Sequence, residues 1–213
     1  MRIFVAAFFM AGCWLAHVPY SVAAEMVEIP AGEFLPGGGD RGGQIVYLPS
    51  FWIDQNEASN EEFSLLFPSH SYPDGAGEHP VSEVTWYEAM RYCEQTGKRL
   101  PSELQWQKAA SGGKGRVYPW GDKRLRKQFH PFHSGVVKRR AGMDKRDVSL
   151  QGVKGMAGSV WEWTAGEREG KRAAHGGLWN LHLDYEYSKV HEQIHLPPED
   201  RWPFVGFRCV RLP

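Results

Sequence analysis

Cysteine is scarce in this chain of 213 residues: Cys13, Cys93 and Cys209 are all there is. Cys13 falls inside an apolar leader, so two sulfurs remain for the rest of the chain, and a mechanism that needs free thiolates has little to draw on. Long hydrophobic runs are missing as well. The apolar stretch from Ile3 to Ala16 is too short for a comfortable membrane span. Excess charge of either sign is absent, with 25 Lys and Arg against 25 Asp and Glu. That balance gives no global case for nucleic acid or for an acidic substrate. No internal repeat or low-complexity tract stands out.

The leader has the anatomy of an export signal: Met1-Arg2 as a positive start, an apolar middle, and small residues at Ser21-Val22-Ala23-Ala24 for a peptidase cut before Glu25. The alternative is Met10-Ala11-Gly12-Cys13, a lipoprotein-like box that would make Cys13 a lipid anchor. Both place residues 25–213 in an exported, periplasmic setting where disulfides persist. Removing residues 1–24 takes away only Arg2 among the charges, leaving 24 basic against 25 acidic residues. The roughly 190 residues that follow are enough for one well-buried domain and hardly for two. Nine Trp, 24 Gly and 14 Pro indicate aromatic anchors joined by many turns.

Three helix starts are written as capping boxes: Ser59 to Glu62, Thr85 to Glu88 and Ser102 to Gln105. The second helix carries Trp86, Ala89, Met90 and Cys93 on one face and stops at Gly97; the third stops at Ser111-Gly112-Gly113. Met26–Ile29, Phe51–Ile53 and Val205–Val210 read as strands. Few short strands, about three helices and long Gly/Pro-rich loops predict an irregular α+β domain.

A family resemblance rests on motifs in fixed order. Met26-Val27-Glu28-Ile29-Pro30-Ala31-Gly32-Glu33-Phe34 is followed by Phe51-Trp52-Ile53-Asp54 with Glu57-Ala58-Ser59-Asn60, then by His79-Pro80-Val81 and Trp86. Tyr92-Cys93, Lys98-Arg99-Leu100-Pro101-Ser102-Glu103 and Tyr118-Pro119-Trp120-Gly121-Asp122 come next. Gly155-Met156-Ala157-Gly158-Ser159-Val160-Trp161-Glu162-Trp163, Gly176-Gly177-Leu178-Trp179 and Gly206-Phe207-Arg208-Cys209 complete the series. Together they resemble the formylglycine-generating enzyme, or sulfatase-modifying factor, domains from residue 26 to residue 211. The resemblance implies a C-type-lectin-like fold and a Cys93–Cys209 disulfide. It also implies calcium near Ser149, Val160 and Glu162, although Ser149, Gly155 and Ser159 stand where relatives carry Asn, Asp and Asn.

The copper-dependent enzymes of that family carry two further cysteines before the final strand, and Asn180 to Val205 contains none. Formylglycine generation by thiolate-bound copper is therefore not expected. Thiol-free relatives, periplasmic proteins linked to siderophore-chromophore maturation among them, imply an accessory or oxidative maturation role. His191-Glu192-Gln193-Ile194-His195 spells HExxH, which on a helix would bind zinc for a hydrolase. Pro197-Pro198 and the extended backbone that the family uses here make it a chance match. A weaker transition-metal site could draw on His175, His182, His191 and His195, or on His130 and His133, if three converged; scattered surface histidines are the plainer reading. The residues nominated for catalysis are His175, Trp179, His191, Glu192 and Arg208.

Residues 114–146 collect eleven Lys and Arg against Asp122 and Asp144, a surface for an acidic partner or anionic lipid, or simply a solvated loop. Two functions stay open. One is an accessory or maturation factor acting on an exported protein or small molecule; the other is a non-catalytic lectin-like binding module.

Overall fold

The computed structural model describes residues 24–37, 43–123, 147–177 and 188–213. Its order is β1 (Met26–Ile29), β2 (Gly32–Phe34), β3 (Val46–Leu48), β4 (Phe51–Asp54), α1 (Asn60–Leu66), α2 (Trp86–Gln95), α3 (Glu103–Ser111), β5 (Trp161–Arg168), β6 (Lys171–Gly176), β7 (Gln193–Leu196), β8 (Val205–Gly206) and β9 (Val210–Arg211). The leader with Cys13, the basic clusters within 124–146 that include His130 and His133, and Trp179 and His182 lie outside the described residues. Among those described, no helix is long and apolar enough to cross a membrane.

All three helices start as their sequences predict. At each N-cap, the hydroxyl of Ser59, Thr85 or Ser102 accepts the backbone N–H three residues on. The side chain of Glu62, Glu88 or Gln105 returns the bond to the cap N–H at 2.9–3.0 Å. Each cap contributes about 1 kcal/mol to a short helix that propensity alone would not hold. α2 buries Trp86, Ala89, Tyr92 and Cys93, and its chain leaves through Gly97 at φ +70°, a left-handed position that glycine adopts without cost. α3 is buried along nearly its whole length. Even Lys108 is inside, its Nζ donating to the carbonyls of Pro30 at 2.8 Å and Gly32 at 3.0 Å and so tying α3 to the β1–β2 corner.

Three small sheets surround these helices. β1-β4-β9 and β2-β3 are antiparallel, while in β7-β6-β5-β8 only the β5–β8 pair is parallel. The β5–β6 hairpin turns on Glu169 and Gly170, both at positive φ, as a two-residue hairpin of matching twist requires. The stretch Val205–Val210, expected as one strand, is two: β8 joins β5, β9 joins β4, and Phe207-Arg208-Cys209 bridges the two sheets. The reason is covalent and electrostatic. Cys209 is bonded to Cys93 of α2 (Cα–Cα 5.6 Å), and Arg208 turns into a buried ion network.

Apolar packing falls into two clusters. One gathers α1 and α2 with Trp161, Trp163, Val205 and Phe207; the other gathers β1, β4 and α3 around Trp106 and Met156. Indole N–H groups pin the seams: Trp86 donates to the Thr164 carbonyl at 2.7 Å and Trp163 to that of Val84 at 3.1 Å.

Candidate functional site

The nominated residues settle in two neighbouring places. The first is a wholly buried network around Arg208. Its Nε and Nη2 clamp Glu162 through Oε2 and Oε1, both at 2.7 Å. Nη1 reaches the carbonyls of Asp54 and Gln55 at 3.2 and 3.1 Å, and Nη2 also reaches that of Lys154 at 2.9 Å. A guanidinium has five N–H donors, and all five are used inside the fold. Arg208, nominated as a catalytic residue, therefore has no donor left for a substrate; it is a structural clamp. Burial works against its charge, but Glu162 and Glu57 raise its pKa and hold it protonated.

Glu162 is buried with it, and its Oε2 also accepts the Trp106 indole N–H at 2.7 Å. Glu57 completes the network with its carboxylate 3.6 Å from Arg208 Nη2, yet neither of its oxygens has a hydrogen-bond partner. Burial pushes its pKa up to about 8, against the pull of Arg208 and with Glu162 adding to the rise. Its carboxylate fills the space beside Gly155, where a Cβ would stand 2.7 Å from either oxygen at a backbone φ of +73°. Sequence reading quoted Glu57 as part of a motif but gave it no role, and it missed Trp106 altogether. The signal was a Glu and an Arg in separate motifs, each flanked by residues that read as strand.

The resemblance implied calcium, so the donor set can be tested directly. Calcium takes six to eight oxygens. Ser149 Oγ already accepts the Val153 N–H at 3.2 Å, both Glu162 oxygens are engaged, and residue 155 supplies no side chain. Of the nominated side-chain oxygens and their neighbours in that motif, only the Ser159 hydroxyl is left without a hydrogen bond. The nominated side chains are thus largely committed to contacts within the fold.

The second place is a histidine corner. His175 sits on β6 opposite Gln193 of β7 and is fully buried. Its ring lies 5.1 Å from Trp106 in a near-parallel stack, and its Nε2 is 4.0 Å from Glu103 Oε2. Neither ring nitrogen makes a hydrogen bond of good geometry, although the backbone carbonyls of Glu192 and Val190 lie near enough to act on the ring. Burial drives its pKa down to about 4, the backbone carbonyls of Glu192 and Val190 oppose the shift, and the nearby His195 and His191 reinforce it. A Cβ at Gly166 would collide with the Glu103 carboxylate, so that glycine leaves the room in which Glu103 stands over the corner.

His191 pairs through Nε2 with Glu192 Oε1 at 3.2 Å. The HExxH letters lie on a turn that runs into β7, not on a helix. Extended backbone rises about 3.3 Å per residue, so imidazoles four residues apart stand roughly 13 Å from each other instead of one helical turn apart. Among the described residues no three His, Cys, Asp or Glu side chains are arranged to hold a metal ion.

A helix-poor fold, a staple from α2 to the final strands and a Trp-anchored Glu–Arg core define a class. Residues 16–213 match the sulfatase-modifying factor enzyme 1-like domain, and the chain belongs to that family. The formylglycine-generating enzyme of Mus musculus is 30% identical over 276 residues, covering 87% of this chain and 74% of its own. The uncharacterized protein YfmG of Bacillus subtilis is 30% identical over 184 residues, covering 62% of this chain and 37% of its own. The inactive C-alpha-formylglycine-generating enzyme 2 of Bos taurus is 32% identical over 155 residues, covering 62% and 50%. The matched region thus spans about a third to a half of the length of the latter two.

Among solved structures, variable protein 1 of Treponema denticola has a TM-score of 0.70 at 21% identity, covering 88% of this chain and 95% of its own. PvdO from Pseudomonas aeruginosa has a TM-score of 0.66 at 19% identity, covering 88% and 94%. These two share the C-type-lectin-like fold.

Proposed function

We propose that this chain is a copper-independent member of the sulfatase-modifying factor family, an accessory factor that binds an exported protein or small molecule. The observation that carries the reading is the fate of its sulfur. Cys93 and Cys209 are joined and fully buried, and Cys13 is the only other cysteine. Two soft thiolates for Cu(I) are therefore not to hand. The burial of Arg208, with all five of its guanidinium donors used inside the core, supports binding over catalysis, because a guanidinium without a free donor cannot also serve a reacting substrate. A bovine relative whose own name calls it inactive is in keeping with this.

The test combines elemental mass spectrometry of the purified protein with a copper-supplemented assay on a cysteine-containing sulfatase peptide. The reading expects less than one copper per several chains and no mass loss at the peptide cysteine. Stoichiometric copper with formylglycine in the peptide would sink it. Copper, iron or zinc near one per chain, lost in His175→Ala or His191→Ala, would instead favour an oxidative maturation enzyme built on imidazoles.

A further inference from the structure

The third capping box differs from the other two, and the difference opens onto a hollow. In the boxes of α1 and α2 the closing residue is a glutamate. Its Oε2 accepts both the cap N–H and the cap hydroxyl, Ser59 Oγ at 2.9 Å in one and Thr85 Oγ1 at 3.0 Å in the other. In the box of α3 the closing residue is Gln105. Its Oε1 accepts the Ser102 N–H at 3.0 Å, while Ser102 Oγ accepts the Gln105 N–H at 3.2 Å. Only the oxygen of a carboxamide can accept, so the Gln105 Nε2 is turned away from the cap. Among the described residues neither its hydrogens nor the Ser102 hydroxyl proton has an acceptor. Gln105 is only 7% exposed, and a buried donor without an acceptor is costly to keep.

Both residues line a hollow of about 400 Å³ between the start of α3, the end of β3 and the last residues of the chain. Its walls are aliphatic, with Leu48, Leu100, Ala165 and Leu212 among them. Arg99 lines it too; its side chain is exposed and has no ion pair or hydrogen bond among the described residues. No acidic residue lines the hollow. The uncommitted side-chain groups are therefore all donors, one of them cationic, set against hydrocarbon.

That combination selects one kind of ligand. The free hydrogens call for an acceptor, and Arg99 calls for an anion that a guanidinium can hold through two parallel N–H groups. The walls call for hydrocarbon. We propose that this hollow binds an aliphatic monocarboxylate. Arg99, Gln105 Nε2 and the Ser102 hydroxyl hold the carboxylate, and the stem lies against Leu48, Leu100 and Leu212. The inference rests on the reading of the chain as a binding factor and gives that reading a ligand class.

Isothermal titration of the purified chain tests it with sodium hexanoate, with hexanamide as the same stem without the charge, and with acetate as the charge without the stem. Saturable binding of hexanoate is expected, with hexanamide and acetate each about tenfold or more weaker. Gln105→Glu gives α3 the box that α1 and α2 already have, so it should melt no earlier than wild type. Its new carboxylate should repel the ligand and weaken hexanoate binding about tenfold or more. Should that variant melt early, Arg99→Gln, at an exposed side chain, carries the same expectation. The proposal is overturned by equal affinity for hexanamide or acetate, by unchanged binding in the variant, or by no saturation with hexanoate. Tighter binding of Nα-acetyl-leucine than of hexanoate would overturn it in favour of a peptide C-terminus. Failure to bind hexanoate would leave the copper-independent reading standing, whereas copper-dependent formylglycine would sink that reading on its own.

Discussion

The Arg208 network and the histidine corner touch the same indole from two sides, and they are built in opposite ways. Trp106 donates to Glu162 through its nitrogen and stacks on His175 through its face. On the Arg208 side every guanidinium donor is used. On the other side a fully buried imidazole has only loosely placed neighbours at its nitrogens, the carbonyls of Glu192 and Val190 and the Glu103 carboxylate at 4.0 Å. A buried pair that is fully bonded is costly to break, whereas a buried neutral base is costly only to charge. Signature residues of the family's motifs therefore hold the scaffold together here. His175 is a different kind of buried group, an imidazole whose burial disfavours its charged form.

Breaking the network should have the largest effect. Arg208→Leu leaves Glu162 buried without its cation, and a loss of about 3–5 kcal/mol is expected in urea unfolding, a large part of the 5–15 kcal/mol typical of a domain. A loss under about 1 kcal/mol would mean that the clamp is dispensable.

Glu57→Gln sharpens the same side. The folded state holds the Glu57 proton up to about pH 8, against a usual value of 4.5, so wild-type stability is full below pH 4.5 and falls as pH rises through 8. The variant should match wild type near pH 4.5 and be more stable at pH 8.5, by on the order of 3 kcal/mol. Parallel stability curves across that range would refute the assignment.

The smallest effect is expected at the corner and has the opposite sign. His175 is held near 4, below its usual 6.5, so its contribution is intact above pH 6.5 and lost as pH falls through 4. His175→Phe keeps the ring stack and should flatten the acid limb by about 2 kcal/mol at pH 4 while changing little at pH 7. Thermal melts at the two pH values decide it, and a variant as acid-sensitive as wild type would remove His175 from the account.

Much of this molecule was legible before any coordinates. The three capping boxes fix α1, α2 and α3 because cap chemistry is local and carries its own spacing. The disulfide was legible only through the family resemblance, since nothing short-range links Cys93 to Cys209. β6 and β7 escaped notice: Lys171–Gly176 and Gln193–Leu196 carry charge and histidine where strand propensity expects β-branched residues, and pairing with β5 overrides that preference. The final segment was misread as one strand because periodicity does not register a change of sheet at Arg208. The roles of site residues are hard to read for a related reason. Motif letters mark the residues, but only the fold shows that Arg208 and Glu162 face each other and that every Arg208 donor is used.

The segment from Val205 to Arg211 also governs how quickly the chain can find its shape. Its partners lie far back in sequence: Asp54 is 155 residues from Cys209, Cys93 is 116, and Glu162 is 46 from Arg208. Closing such distant contacts demands a large loss of chain entropy before any of them stabilises the product, and topologies of this kind fold slowly, in milliseconds to seconds. Until this stretch docks, β4 lacks β9, β5 lacks β8, and Glu162 lacks its cation. The nascent protein must therefore remain unfinished until its last strands arrive, with Trp-rich surface open to water and to whatever chaperone is at hand.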